Sequence, residues 1–96
     1  MVTFRDLLRD TKSRIEETDP EGAEVLLSQG YLLLDVREPD EFKQGAIPGS
    51  VHIPRGNLEA SVESRIPDRD QPLVVMCAGG VRSAFAAQTL QQLGYN

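Results

Sequence analysis

The sequence predicts an α/β domain built around a mostly parallel central sheet. Two apolar runs, Tyr31–Val36 and Leu73–Met76, show no alternation of polar and apolar residues. Such runs are typical of strands that are covered on both faces, as in parallel sheets. Segments with helical spacing of apolar residues lie between and after these runs, and proline or glycine bounds most of them. This alternation favours an α/β fold, and the length of 96 residues suggests one domain.

The chain begins with a segment that predicts an amphipathic helix. Apolar residues share one helical face over residues 3–13, so residues 1–14 are expected to form a helical extension. A brief strand is expected next, at Ile15–Glu17. The main domain is then predicted to occupy residues 15–96.

The other elements are predicted from local boundary signals. Asp19 and Pro20 indicate an N-cap and a first helical position, and Gly30 suits the end of the same helix. The elements that follow are a strand at Tyr31–Val36, a helix at Pro39–Gln44, a strand at Val51–Ile53, a helix from Asn57 to before Pro67, a strand at Leu73–Met76 and a helix over residues 81–93.

Composition and charge exclude several classes of function. The net charge of −5 and the lack of a basic run argue against nucleic acid as a partner. The apolar runs are too short to span a membrane. A single cysteine forms no internal disulfide, which favours the cytoplasm. One cysteine and one histidine also make a metal site improbable.

Cys77 is the strongest candidate for a functional residue. It follows the second apolar run and precedes Gly79 and Gly80, while Arg82 and Ser83 stand at the predicted helix start. Backbone amides in such a loop, together with a helix N-terminus, stabilise negative charge. A thiolate at this position is expected to have a lowered pKa and to be reactive, whereas a buried and inert cysteine is the alternative.

Three segments in this order resemble the rhodanese family. They are Leu34–Phe42, Gly45–Pro54 and Cys77–Ser83, and the resemblance extends over residues 15–96. Ile53–Glu59 also resembles bacterial single-domain members that carry an extra N-terminal helix. The resemblance implies a three-layer rhodanese-like fold and a sulfurtransferase.

The resemblance also implies a mechanism, in which the Cys77 thiolate takes the outer sulfur of a small anionic donor such as thiosulfate. The resulting persulfide passes its sulfur to a thiol or to cyanide, with no metal or organic cofactor. Asp35 is expected to support the loop. The residues expected to bind the substrate are Ala78, Gly79, Gly80, Val81, Arg82, Ser83 and Arg37.

Two alternative functions remain open at this point. One is a rhodanese-fold binding or regulatory module without turnover, although such a module needs no thiol in the loop. The other is a small cysteine phosphatase or arsenate reductase. Four residues lie between Cys77 and Arg82, and cysteine phosphatases typically have a longer loop that surrounds a tetrahedral phosphate. The shorter loop favours sulfur transfer.

The chain departs from the family pattern in two places. Ala46 stands where the family usually has a histidine, and His52 is expected to be packed or solvated rather than catalytic. Family members also continue beyond Asn96 with an apolar strand that lies between the cysteine-bearing strand and the first one. We therefore expect a domain that lacks its last strand, with self-association or a partner at the unpaired sheet edge.

Overall fold

Three short parallel strands form the sheet in a computed structural model that describes residues 1–95. The strand Leu32–Asp35 lies in the middle, and Asp35 at its end pairs with His52 on one side and with Met76 on the other. The carboxyl ends of the strands therefore meet at one edge, where parallel sheets place their sites. The strands, in the spatial order β2-β1-β3, are β1 (Leu32–Asp35), β2 (Val51–His52) and β3 (Leu73–Met76).

The predicted helices are present in the described residues. Asp19 accepts a hydrogen bond from the Gly22 amide at 2.7 Å, which confirms its predicted N-cap role. Thr3 and Asp6 form a reciprocal capping box at the first helix. The helices are α1 (Phe4–Ser13), α2 (Pro20–Ser28), α3 (Pro39–Gln44), α4 (Leu58–Arg65) and α5 (Val81–Gln92), with a 3₁₀ turn at Arg55–Asn57.

The two faces of the sheet pack against different helices, because successive side chains of a strand point to opposite faces. Leu34 and Val36 lie in the main core, together with buried residues of α4 and α5. Leu33 and Val74 are also buried, and they line a pocket that α2 closes from the other side. The fold is therefore the predicted three-layer α/β arrangement.

The N-terminal helix packs along α5. Thr11 is almost fully buried, and its hydroxyl donates to Gln88 Oε1 at 3.0 Å. Near the start of both helices, the rings of Phe4 and Phe85 lie 6.2 Å apart between centroids. These contacts attach α1 to the rest of the molecule, and the division into residues 1–14 and residues 15–96 stays a prediction.

The prediction of a strand at Ile15–Glu17 is wrong. These residues have no regular secondary structure. A groove of about 1230 Å³ is lined on one side by the Ile15–Thr18 segment and on another by β3. Since a strand forms only when its backbone pairs with a neighbouring strand, the groove explains why Ile15–Glu17 does not become one.

The outer edge of β3 borders the same groove. Leu32 and Val36 donate their amides to the carbonyls of Pro72 and Met76 at 2.9 and 3.0 Å. Because alternate residues of a parallel strand face the same neighbour, the backbone groups of Val75 point away from β1. Within residues 1–95, β3 pairs with β1 alone. Association at this edge stays a prediction.

Candidate active site

A short loop turns the chain from β3 into α5. β3 ends at Met76 and α5 begins at Val81, so residues 77–80 make the whole connection. Gly80 has a left-handed backbone conformation, with φ of 82° and ψ of −8°. A residue with a Cβ is disfavoured in that conformation, so glycine allows the tight turn into the helix.

Hydrogen-bond donors converge on the sulfur of Cys77. The amide nitrogen of Gly80 lies 3.0 Å from Cys77 Sγ, and that of Ser83 lies 3.3 Å away. The hydroxyl oxygen of Ser83 is 3.4 Å from the same sulfur, so this hydroxyl accepts from the neutral thiol and donates to the thiolate. The half-buried sulfur also faces the N-terminus of α5, where the helix dipole favours negative charge. This geometry stabilises a thiolate, which is the nucleophilic form of cysteine.

Two opposing effects act on the pKa of the Cys77 thiol. Burial raises the pKa, because a less solvated site disfavours the charged form. Hydrogen bonds from the Ser83 side chain and from the amides of Ser83, Gly79 and Gly80 lower the pKa, and together they outweigh burial. The pKa of Cys77 therefore lies below its ordinary value, and more of the residue is ionised at neutral pH.

Arg82 is held by Glu41 through two hydrogen bonds. Arg82 Nη1 donates to Glu41 Oε1 at 2.6 Å, and Nη2 donates to Oε2 at 3.1 Å. The Arg82 side chain lowers the pKa of Glu41 to about 2, so the carboxylate is ionised at any physiological pH. The pair ties the first turn of α5 to α3. A contact between Arg82 and a substrate stays a prediction.

Asp35 and Arg37 form a second pair at the end of β1. The buried Asp35 carboxylate accepts from the Arg37 amide at 3.0 Å and from Arg37 Nη2 at 2.8 Å. Burial raises the pKa of Asp35, but the hydrogen bonds from Arg37 lower the pKa by a larger amount. The pKa of Asp35 therefore lies below its ordinary value. Arg37 Nη2 also donates to the Gly45 carbonyl. The roles predicted for Asp35 in supporting the loop and for Arg37 in binding substrate stay predictions.

A pocket of about 400 Å³ reaches Cys77 from the side of α2. The end of β3 and the loop residues Gly80 and Ser83 form one wall, and α2 residues including Ala23 and Leu27 form the other. The wall contributed by α2 is largely apolar beside the sulfur. The pocket therefore gives a small molecule room next to the candidate nucleophile.

A comparison with protein families decides which fold family this site belongs to. The model of the family described as the rhodanese-like domain matches residues 18–96 of this chain. The chain belongs to the rhodanese-like domain family. The match includes β1 to β3 and the whole Cys77 loop, so the resemblance seen in Leu34–Phe42, Gly45–Pro54 and Cys77–Ser83 is confirmed.

Individual relatives of this rhodanese-like domain are similar over most of their length. The thiosulfate sulfurtransferase GlpE of Pseudomonas syringae is 40% identical over 77 residues, which are 80% of this chain and 71% of the relative. A solution structure of the polysulfide-sulfur transferase homodimer from Wolinella succinogenes is 31% identical, with a TM-score of 0.79, over 97% of this chain and 72% of that one.

A third similar structure carries a different description. It comes from Rhodopseudomonas palustris and is described as a protein of unknown function and a possible tyrosine phosphatase. It is 32% identical, with a TM-score of 0.83, over 99% of this chain and 80% of that one. The fold of the rhodanese-like domain is therefore shared by proteins whose descriptions name different chemistry, and the site must decide between them.

Two other polar residues take structural positions in the rhodanese-like domain. The ring of His52 stacks on Phe42, with centroids 4.1 Å apart, and His52 Nε2 donates to the Arg37 carbonyl at 2.8 Å. His52 is therefore packed, as its sequence context predicts. Arg55 donates to Glu59 at 2.7 Å and to Thr89 at 3.2 Å, so it is engaged with α4 and α5.

The structure brings Cys77, Gly80 and Ser83 together and adds one residue that the sequence did not indicate. Glu41 contacts Arg82 across 41 positions of sequence. Its only sequence signal is its place in the first turn of α3, where acidic residues are common for a local reason. Ala78 and Gly79 are exposed in the loop, and Val81 is the first residue of α5.

Removal of the Ser83 hydroxyl is expected to raise the pKa of Cys77. Ser83→Ala removes a hydrogen bond that stabilises the thiolate, so the pH at which Cys77 ionises should rise. The rate of alkylation by iodoacetamide, measured against pH, reports this ionisation. Ser64→Ala is the matched control, since Ser64 lies exposed on α4 and donates to the Ser61 carbonyl. An unchanged alkylation profile in Ser83→Ala would contradict the prediction.

Proposed function

We propose that this rhodanese-like domain is a sulfurtransferase that carries sulfur as a persulfide on Cys77. One observation carries the proposal: the amides of Gly80 and Ser83 and the Ser83 hydroxyl all lie within 3.4 Å of the Cys77 sulfur. Similar relatives named thiosulfate sulfurtransferase GlpE support the same enzyme class. The loop offers the nucleophile and the anion-stabilising groups that this chemistry requires.

In the first half-reaction, the Cys77 thiolate attacks the outer sulfur of a donor such as thiosulfate. A bond forms between Cys77 Sγ and that sulfur, while the sulfur–sulfur bond of thiosulfate breaks. Sulfite leaves with the electron pair of the broken bond, and Cys77 becomes a persulfide anion. The charge is conserved, because the thiolate and the persulfide are both monoanions, and thiosulfate and sulfite are both dianions.

In the second half-reaction, an acceptor takes the terminal sulfur of the persulfide. Cyanide attacks that sulfur and leaves as thiocyanate, or a thiolate attacks it and leaves as a new persulfide. The electron pair of the broken sulfur–sulfur bond returns to Cys77. Donors at Gly80 and Ser83 stabilise the thiolate that leaves, which lowers the barrier for this step.

The size of the loop favours a sulfur atom over a phosphate group. Four residues separate Cys77 from Arg82. Two nitrogen atoms of the Arg82 guanidinium donate hydrogen bonds to Glu41. A phosphatase of the cysteine class needs converging donors for several phosphate oxygens. The amides of Gly80 and Ser83 are directed at the Cys77 sulfur itself, an arrangement that suits a single sulfur atom and supports sulfur transfer.

The proposal is tested by the mass of the intact protein after exposure to thiosulfate. We expect Cys77 to gain the mass of one sulfur atom, and we expect cyanide to remove it with release of thiocyanate. Cys77→Ser should show no gain under the same conditions. A folded wild-type protein that never gains sulfur from thiosulfate or from an organic persulfide would overturn the proposal, and Cys77-dependent hydrolysis of an aryl phosphate would favour the phosphatase alternative.

The partners of the reaction follow from the same chemistry. A small sulfur donor and a nucleophilic acceptor are required, and thiosulfate with cyanide or a thiol is the specific pair that we propose. No helix between residues 1 and 95 combines the length and apolar character needed to cross a membrane. A cytoplasmic location stays a prediction.

A further inference from the structure

Both arginines beside the Cys77 loop are occupied by carboxylates. The Arg37 guanidinium contacts Asp35, and that of Arg82 contacts Glu41, each through a nitrogen–oxygen distance below 3 Å. The charges of Glu41 and Arg82 both act on Arg37, so the four side chains form one cluster of balanced charge. A donor that approaches Cys77 therefore meets backbone amides and no uncompensated guanidinium among these residues.

The Glu41 carboxylate is fixed on more than one side. Besides its two bonds from Arg82, Glu41 Oε1 accepts from the Glu38 amide at 3.0 Å, at the start of α3. Each member of the Glu41–Arg82 pair is about one-third exposed, so the pair lies at the surface of the site. The Glu38 amide at the start of α3 therefore fixes the position of the Glu41 carboxylate. That carboxylate in turn holds the Arg82 guanidinium toward α3.

Arg82 lies within electrostatic reach of the reacting sulfur. The hydrogen bonds that Arg82 donates to Glu41 raise the pKa of Arg82 above its ordinary value, and the charge of Cys77 acts on Arg82 in the same direction. A free guanidinium at this position would attract an anionic donor, and its attraction would grow with the charge of the donor. With Glu41 present, most of that attraction is cancelled.

We propose that Glu41 is a specificity-determining positioning residue, which compensates the charge of Arg82 and thereby weakens the site's preference for dianionic over monoanionic sulfur donors. This inference rests on the proposed sulfurtransferase function. Glu41 contacts Arg82, and it acts on the donor through that arginine. The discrimination concerns the binding of the donor before its outer sulfur is transferred.

The test compares two donors that differ by one charge. Thiosulfate is a dianion, and methanethiosulfonate is a monoanion that presents the same terminal sulfur on a sulfonyl sulfur. In Glu41→Gln, Arg82 keeps its charge and loses its compensating carboxylate. We expect the KM for thiosulfate to fall about fivefold and the KM for methanethiosulfonate to fall about twofold or less. Added salt should reduce the difference in the KM for thiosulfate between the wild type and Glu41→Gln.

Two variants separate this role from simple support of the loop. Glu41→Asp keeps the negative charge, so its ratio of the two KM values should stay at the wild-type value even if kcat falls. Glu59→Gln is the matched control, because Glu59 of α4 pairs with Arg55 of the 3₁₀ turn as Glu41 pairs with Arg82. A purely structural role would change kcat for both donors and leave the ratio of the KM values unchanged, and that result would overturn the inference.

The wild-type protein provides a measurement that does not depend on any variant folding. With Arg82 compensated by Glu41, the KM for thiosulfate should change less than about twofold between low and moderate salt. A steep rise of that KM with salt would reveal an uncompensated cation in the site and would overturn the inference. Failure of both donors to load Cys77 would instead contradict the proposed function itself.

Discussion

Cys77→Ser is expected to lower kcat/KM for sulfur transfer by at least about 1000-fold. The serine hydroxyl has nearly the size of the thiol, so the loop geometry around Gly80 and Ser83 should persist. A hydroxyl is not ionised at neutral pH, however, and the persulfide intermediate cannot form on oxygen. Thiocyanate formation from thiosulfate and cyanide, followed over time, measures the loss.

The fold of Cys77→Ser must be checked alongside its activity. We expect its circular dichroism spectrum and its unfolding midpoint to match those of the wild type closely. Ser64→Ala, remote from the site, should retain full activity. Retention of more than about a tenth of the wild-type activity by a pure preparation of Cys77→Ser would contradict the role of Cys77 as the nucleophile.

Leu34→Ala is expected to destabilise the protein by about 3 kcal/mol. Leu34 is fully buried at the centre of the sheet, where it belongs to the main core with α4 and α5. Truncation to alanine removes apolar contacts and leaves a cavity that the surrounding strands cannot fully close. For a domain of this size, the loss corresponds to a fall in Tm of about 12–24 °C.

A leucine-to-alanine substitution at an exposed site is the control for Leu34→Ala. It separates the effect of burial on the free energy of unfolding from the effect of replacing any leucine by alanine. Leu7 lies on α1 with about half of its surface exposed. We expect Leu7→Ala to change the free energy of unfolding by less than about 0.5 kcal/mol. Thermal and urea unfolding of both variants measure the two values. Equal effects at Leu34 and Leu7 would contradict the position of Leu34 in the core.

The elements that were predicted correctly depend on local chemistry. Asp19 begins α2 because its own carboxylate reaches the Gly22 amide, three residues away. The buried strand β1 follows from the apolar residues Tyr31–Leu34, which pack on both faces of the sheet. The Cys77 loop is also local, because the Gly80 and Ser83 amides that donate to its sulfur lie within the next six residues.

The prediction that was wrong and the contact that was missed both depend on the arrangement of segments distant in sequence. Ile15–Glu17 has suitable residues for a brief strand, but no strand of the described residues lies beside it to pair with its backbone. Glu41 looks like an ordinary acidic residue of a first helical turn. Its contact with Arg82 arises only when α3 and α5 are placed at the same end of the sheet.

The sequence by itself determined the strand, loop and helix that present Cys77, because each depends on residues only a few positions apart. It also determined the family, since three motifs stand in order along the chain. Only the tertiary structure decided which charges surround the sulfur. Arg82 is a cation in any unfolded chain, and the fold places Glu41, which is 41 positions away in sequence, against it. Electrostatic attraction depends on distance in space, which residue spacing along the chain does not specify.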